Sequence, residues 1–311
     1  MAEEKTVIRI VASLLVAAAV LMPGRPAPAK EVKINHGGLT LTADLELAGG
    51  KTLADGGVLM THGLLAHKGM EIMTALKGLL AEWGLNTLAI NLSLDLDDRH
   101  GMVDCPTPHR HRDADAMGEI AAWVAWLNNK GAGLVTLLSY SRGGNQAARY
   151  AAGNPDPAVK RLVLVAPATS NPGKPARGYY RRYKKDLAPL LKKARDLMAA
   201  GKGDALMKDV DFLYCPKTTV TAATFADYYG ANPERDTPSV IRRITLPVLA
   251  GAGGSDRVNP HFGKKMKKLP KANVKQVVIE DAGHFSVIFS ARTWPTPSPN
   301  SSLKAQKARK S

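Results

Sequence analysis

Hydrophobic and polar positions fall along the chain in two alternating rhythms. Val32 to Ile34 and Leu39 to Leu47 alternate apolar with polar residues on either side of Gly37-Gly38, which predicts two exposed antiparallel strands joined by a turn. Gly57 to Thr61, Thr87 to Asn91, Leu134 to Leu138, Arg161 to Ala166, Leu246 to Gly251 and Val274 to Ile279 are instead short continuous apolar runs, the pattern of strands buried on both faces. Met70 to Trp83, closed by Gly84, Asp113 to Leu127, Asn145 to Ala152 and Pro260 to Leu269 carry helical patterns between them. Strand and helix in turn predict right-handed crossovers, hence an α/β fold with a mostly parallel central sheet and helices on both faces.

This rhythm breaks between Thr169 and Arg243. The segment is rich in Lys, Arg, Tyr and Ala, and Lys185 to Ala200 is helical and closed by Gly201. It offers no further buried strand, so the expectation is a helical cap, residues 169–243, inserted in a core of residues 30–168 and 244–292. Tyr179, Tyr180 and Tyr183 stand at helical spacing and read as packing within that cap.

Both ends of the chain depart from a core-forming pattern. Residues 1–29 carry Lys5 and Arg9, an apolar run from Ile10 to Met22, and Ala27-Pro28-Ala29: the layout of a secretory leader cleaved after Ala29. The apolar run is short for a bilayer span, so no stable membrane insertion is expected once the leader is gone. Residues 293–311 are rich in Pro, Ser and Lys and read as a disordered basic tail. The protein is thus expected in a periplasm or outside the cell.

The formal net charge of +16 changes the picture only a little. Such a surplus invites a nucleic-acid reading, but aromatic residues are 5% of the chain and none interleave with a basic run. Export argues against it as well. The positive residues gather in Arg177 to Arg195 and in the tail, as on a solvated face, and leave an anionic small-molecule substrate open.

The chemistry gathers where the runs end. Leu134 to Leu138 stops at Ser139-Tyr140-Ser141-Arg142-Gly143-Gly144, and helix-forming residues follow at once. The order strand, tight turn, helix sets Ser141 at the apex, with small residues Ser139 and Gly143 two positions away on either side, as a nucleophile elbow requires. Ser139 stands where the usual motif has glycine. A serine hydroxyl is a weak nucleophile at neutral pH and needs an imidazole to take its proton and a carboxylate to orient that imidazole. Asp256, in Gly253-Gly254-Ser255-Asp256, follows the Val248 run, and His284, in Ala282-Gly283-His284, follows the Val274 run. Loops after parallel strands open on one edge, so the three can meet there. Donors for a developing oxyanion are expected from the backbone amides of Arg142 and Leu64, the latter in His62-Gly63-Leu64 after the Gly57 run.

His62-Gly63, the Ser141 elbow, the Asp256 turn and Gly283-His284 together resemble the α/β-hydrolase superfamily over about residues 31–292. The resemblance implies Ser141 as nucleophile, His284 as general base and then acid, Asp256 as its orienter, Leu64 and Arg142 as oxyanion hole, and His62, Gly63 and Tyr140 beside the substrate. It implies a serine hydrolase acting on carboxylic esters or related acyl bonds through an acyl-enzyme, with no cofactor. The same residues would serve an acyltransferase, and a ligand-binding envelope protein could share the fold. His100, Cys105, His109 and His111 crowd into one segment, but their spacing fits no tetrahedral metal pattern and no metal is expected. Cys105 and Cys215 are the only cysteines; an oxidising compartment permits a bridge, and their spacing leaves the pairing open.

Overall fold

The computed structural model describes residues 29–286 except Pro172 and Pro270. The leader to residue 28 and the tail 293–311 lie outside the described residues. In chain order the elements are β1 (Lys30–His36), β2 (Leu39–Glu46), β3 (Gly57–Thr61), α1 (Glu71–Glu82), β4 (Thr87–Ile90), α2 (Asp115–Asn129), β5 (Val135–Tyr140), α3 (Ser141–Ala152) and β6 (Val159–Val165). Then come α4 (Lys174–Tyr183), α5 (Ala188–Ala199), β7 (Leu206–Phe212), β8 (Cys215–Thr221), α6 (Ala222–Tyr229), α7 (Thr237–Ile241), β9 (Val248–Gly253), α8 (Phe262–Lys267) and β10 (Val274–Ile279).

Eight strands form one sheet in the order β1-β2-β4-β3-β5-β6-β9-β10. β1 pairs antiparallel with β2, and β2 antiparallel with β4; the other six run parallel. The chain moves outward in one direction from β3 to β4 and in the other from β5 to β10, so the order reverses between β3 and β5. That reversal opens a crevice at the carboxyl ends of the strands.

The period-two alternation of a strand sorts side chains to two cores. Leu59, Leu88, Ile90, Leu137, Leu162, Leu164 and Ala250 point to one face and pack with Ile120, Trp123 and Leu127 of α2, Ala147 and Ala151 of α3, and Phe262 of α8. Met60, Ala89, Leu138, Tyr140 and Val165 point to the other and pack with Ile72, Met73, Leu76 and Leu80 of α1. Helices therefore cover both faces.

The insertion has its own core of Tyr179, Leu187, Ala194, Met207, Val210, Phe212, Val220, Phe225 and Tyr228, against which Leu64 packs. It differs from the all-helical cap read from the sequence. β7 and β8 form an antiparallel hairpin with register shifts between Met207 and Val210 and between Val210 and Phe212. Asp209, Leu213 and Lys217 hold positive φ. Each bulge puts two residues opposite one, so the alternation that would have marked a strand is scrambled. The insertion also ends sooner than residue 243: Val240, Ile241 and Ile244 are buried among the sheet-face core, which makes α7 part of the main body. Cys105 and Cys215 are joined in a disulfide that ties the segment before α2 to β8. Among the described residues no helix is long and apolar enough to cross a membrane.

Candidate active site

β5 ends at Tyr140 and α3 begins at once with Ser141, whose φ is +53°. A left-handed conformation costs an L-residue roughly 1–2 kcal/mol, and here it lifts the hydroxyl out of the turn. What holds the turn is close approach on the glycine side. A Cβ on Gly143 would lie 2.2 Å from the His62 carbonyl oxygen, and one on Gly144 3.0 Å from Pro167 Cβ. Ser139, on the other side of the elbow, sits fully buried.

Asp256 and His284 arrive on loops that are bonded to each other. Gly254 donates to Ile279 O at 2.7 Å and Ser255 to Ala282 O at 3.0 Å. A Cβ on Gly253 would meet Ala282 O at 2.2 Å, so only glycine allows this approach. The result is a continuous relay. Ser141 Oγ lies 2.9 Å from His284 Nε2, and His284 Nδ1 lies 2.8 Å from Asp256 Oδ2. A carboxylate can only accept, so Nδ1 carries the proton and Nε2 is left to receive one. Asp256 Oδ1 accepts from the amides of Val258 at 2.7 Å and Asn259 at 2.8 Å. Burial pushes the Asp256 carboxyl up, but the His284 hydrogen bond and the Asn259 amide outweigh it and hold the group below the usual carboxylate range. Both side chains are nearly closed to solvent, at 4% and 5% exposure, so water does not compete for this hydrogen bond.

The structure therefore brings Ser141, Asp256 and His284 together, with Gly63 against Ser141, where an added Cβ would lie 3.4 Å from Ser141 Cβ, while Leu64 packs against the cap core. The amide of Arg142 is one of the first four of α3, which have no partner within the helix.

Two residues expected beside the substrate have other work. His62 is fully buried; Nδ1 donates to Gly63 O at 2.8 Å, while Nε2 accepts from the Leu92 amide at 3.1 Å and Arg99 Nη2 at 3.0 Å. Burial, then the charge of Arg99, push its pKa down to about 3, so it is a neutral strut under the loop that carries Leu64. Tyr140 is 2% exposed and donates its hydroxyl to the backbone oxygen of His284 at 3.2 Å. It braces the imidazole from behind. Gly63 lies against the Tyr140 ring, where an added Cβ would sit 3.3 Å from the ring carbons.

The histidine segment divides. His100 is at the surface on Glu31 at 2.8 Å. His109 and His111 are buried under the cap, packed on Phe212 and, for His111, on Tyr228. The backbone of His109 pairs with β8, its amide donating to Thr219 O at 2.9 Å. Tyr179 and Tyr183 pack together inside the cap, with ring centroids 5.0 Å apart, and Tyr180 is exposed.

Several residues here carry no local sequence signal. Arg99 fans its guanidinium over Leu92 O, Gly101 O, Ala66 O and His62, fixing the loop after β3. Asn259 accepts from the Thr169 amide at 3.2 Å and from Lys174 Nζ at 3.1 Å, tying the acid loop to the start of the cap. Asp113 gathers Arg142 at 3.4 Å, Arg149 at 2.6 Å and Arg235 at 3.9 Å.

Comparison with known proteins agrees with this architecture. A model of the alpha/beta hydrolase family matches residues 58–293. Est1E from Butyrivibrio proteoclasticus superposes with a TM-score of 0.55 at 17% identity, covering 82% of this chain and 90% of its own. The Pyrococcus furiosus esterase PF2001 gives 0.54 at 15% identity, over 91% of this chain and 90% of its own. The alpha/beta hydrolase GrgF from Penicillium sp. sh18 gives 0.61 at 16% identity, over 91% and 97%. No curated protein matches in sequence. At these identities the structural likeness speaks for the fold, and with most of the chain matched by the family model the conclusion is plain: this chain belongs to the alpha/beta hydrolase family.

Proposed function

We propose that the chain is an exported serine hydrolase that cleaves carboxylic esters of small molecules. The observation that carries this reading is the unbroken line of hydrogen bonds from Ser141 Oγ through His284 to Asp256, with the serine on a strained turn at the carboxyl edge of the sheet. Est1E has been described with ferulic acid bound, and the Pyrococcus protein is named an esterase, which supports esters as the substrate class. The leader-like residues 1–29 and the Cys105–Cys215 bridge suit an oxidising compartment.

In this reading Ser141 Oγ attacks the ester carbonyl carbon as its proton passes to His284 Nε2, and the carbonyl π electrons move to oxygen. The amides of Leu64 and Arg142 hold that oxyanion. Asp256 stabilises the imidazolium, which returns its proton to the departing alkoxide, leaving an acyl-serine and a free alcohol. Water then attacks by the same route and the carboxylic acid leaves.

A fluorophosphonate probe should label the full chain and fail to label Ser141→Ala, and p-nitrophenyl esters should be turned over only by the former. Absence of labelling in the wild type would turn the reading toward a binding protein, and turnover of peptides without esters would move the substrate class.

A further inference from the structure

Charge does not balance around Ser141. On one side, the guanidiniums of Arg142, Arg149 and Arg235 share two carboxylates, Asp113 and Asp227. Asp113 is held hardest by Arg149 at 2.6 Å and also receives Gln146 at 3.1 Å, so Arg142, at 3.4 Å, has the weakest hold of the group. The Arg142 side chain is only 18% exposed and otherwise lies over the Tyr228 ring at 5.5 Å, so neither solvent nor a second carboxylate completes its pairing.

On the other side stands Lys174, at the first position of α4 in the cap. Its ammonium donates to Thr169 O at 2.5 Å and Asn259 Oδ1 at 3.1 Å, both neutral acceptors, and its third proton has no acceptor among the described residues. No carboxylate pairs with it there, since the neighbouring Asp236 is taken by Lys265 at 2.6 Å. Burial, then the charges of Arg142 and Lys265, outweigh the pull of the Asp256 and Asp236 carboxylates and lower its pKa to about 8. Lys174 is one side chain from the relay, because the Asn259 amide donates to Asp256. Arg142 directly follows the nucleophile. Two incompletely paired cations thus stand at the two ends of the relay, Arg142 next to Ser141 in the core and Lys174 of the cap on the Asn259 that holds Asp256.

Buried charges are retained where something pairs with them, and a carboxylate accepting from an ammonium and a guanidinium would satisfy both. We propose that the substrate is an ester bearing a carboxylate, seated between Lys174 and Arg142 beside Ser141. This rests on the ester-hydrolase reading above and narrows it to half-esters of dicarboxylic acids and similar anionic esters. The cap then takes part in selection through Lys174, not through apolar shape alone.

The test uses the Ser141→Ala protein, which cannot turn ligand over, so it reads binding separately from catalysis; the fluorophosphonate experiment reads catalysis. Titration calorimetry would compare monoethyl succinate with diethyl succinate. The half-ester should bind roughly tenfold tighter, the scale of one charge-assisted hydrogen bond. Adding Lys174→Met should remove that preference, Lys174→Arg should keep it, and Arg177→Met, an exposed change on the same helix, should leave it untouched. At pH 8 binding should also take up protons, seen as heats that vary with buffer ionisation enthalpy, because the anion raises the Lys174 pKa. Equal or tighter binding of the diester, no detectable half-ester binding at millimolar concentration, or a preference that survives Lys174→Met would overturn the proposal. Labelling of Ser141 would still stand in each of those cases.

Discussion

The hydroxyl of Tyr140 donates to the backbone oxygen of His284 at 3.2 Å, across 144 positions of sequence. The residue just before Ser141 is therefore bonded to the residue whose imidazole meets the Ser141 hydroxyl, and the two rings lie 5.2 Å apart. With the Asp256 bond to Nδ1, this bond restrains where the imidazole points. Tyr140→Phe keeps the ring and loses the donor. We expect kcat to fall by roughly three- to tenfold with KM nearly unchanged, the loss of one neutral hydrogen bond. Steady-state kinetics on a p-nitrophenyl ester would check it; a change in KM alone would place Tyr140 beside the substrate after all.

Three buried histidines set the acid limit. Burial, with the charge of Arg99 next, takes His62 down to about 3; burial and then His109 take His111 to about 3; burial takes His109 to about 4. Each folded pKa lies below the unfolded value of about 6.5, so between these limits the unfolded chain binds protons that the native one refuses. Stability is then complete above about 6.5 and falls as pH drops, by at most about 1.4 kcal/mol per pH unit for each histidine. Glu119 works in the opposite sense: burial lifts it to about 7, against the opposing Ser93 donors, so the fold takes up its proton first as pH falls from 7. Three groups against one leave net acid destabilisation. Thermal midpoints at pH 7, 6, 5 and 4 should decline, and His111→Phe, which keeps a ring against Phe212 and Tyr228, should flatten the decline. An unchanged slope in the variant would show that His111 is not among the groups responsible.

Gly143 is where the elbow meets β3. A Cβ there would fall 2.2 Å from His62 O and 3.0 Å from Thr61 O, both backbone atoms that cannot rotate away. Gly143→Ala must push the start of α3 off the end of β3, opening the space between Ser141 and the Leu64 loop. The expected cost is about 2–4 kcal/mol of stability with loss of most activity, because overpacking against backbone has no rotamer to relax into. Urea unfolding together with ester turnover would check both parts, and a fully active, equally stable variant would contradict the geometry.

How much of this was readable beforehand follows from where each signal lives. The strands and helices of the main sheet could be found because buried strands and amphipathic helices have periods that the residues themselves display, and Ser141, Asp256 and His284 each follow such a run. Chain order then sufficed to bring them to one edge. The hairpin of β7 and β8 was hidden because its bulges destroy the alternation at Asp209 and again before Phe212. The packing of His62 and Tyr140 was hidden for a related reason: position beside Gly63 or Ser141 says nothing of which way a ring turns, and both turn inward to partners 30 or more positions away. Arg99, Asp113 and Lys174 had no local mark at all, since a charge becomes informative only when its burial and its partners are known.

The bridge between Cys105 and Cys215 spans 110 positions and joins the segment before α2 to the cap hairpin. It does not act alone. Thr218 Oγ1 donates to Cys105 O, and the His109 backbone exchanges bonds with Thr219 and Thr221 at 2.9 and 3.0 Å, so the segment is pinned to β8 by a parallel bridge at His109. These contacts should keep the hairpin seated after reduction, while the unfolded chain recovers the freedom that a long closed loop denies it. Chain-entropy reasoning puts the loss at about 2–5 kcal/mol, or a midpoint lower by roughly 5–15 °C. We therefore expect the Cys105→Ser, Cys215→Ser double variant to fold, to melt earlier, and to lose hydrogen-exchange protection at Thr218 to Thr221 before any change in β3 to β6. If reduction leaves the midpoint where it was, the bridge contributes nothing to the stability of the cap.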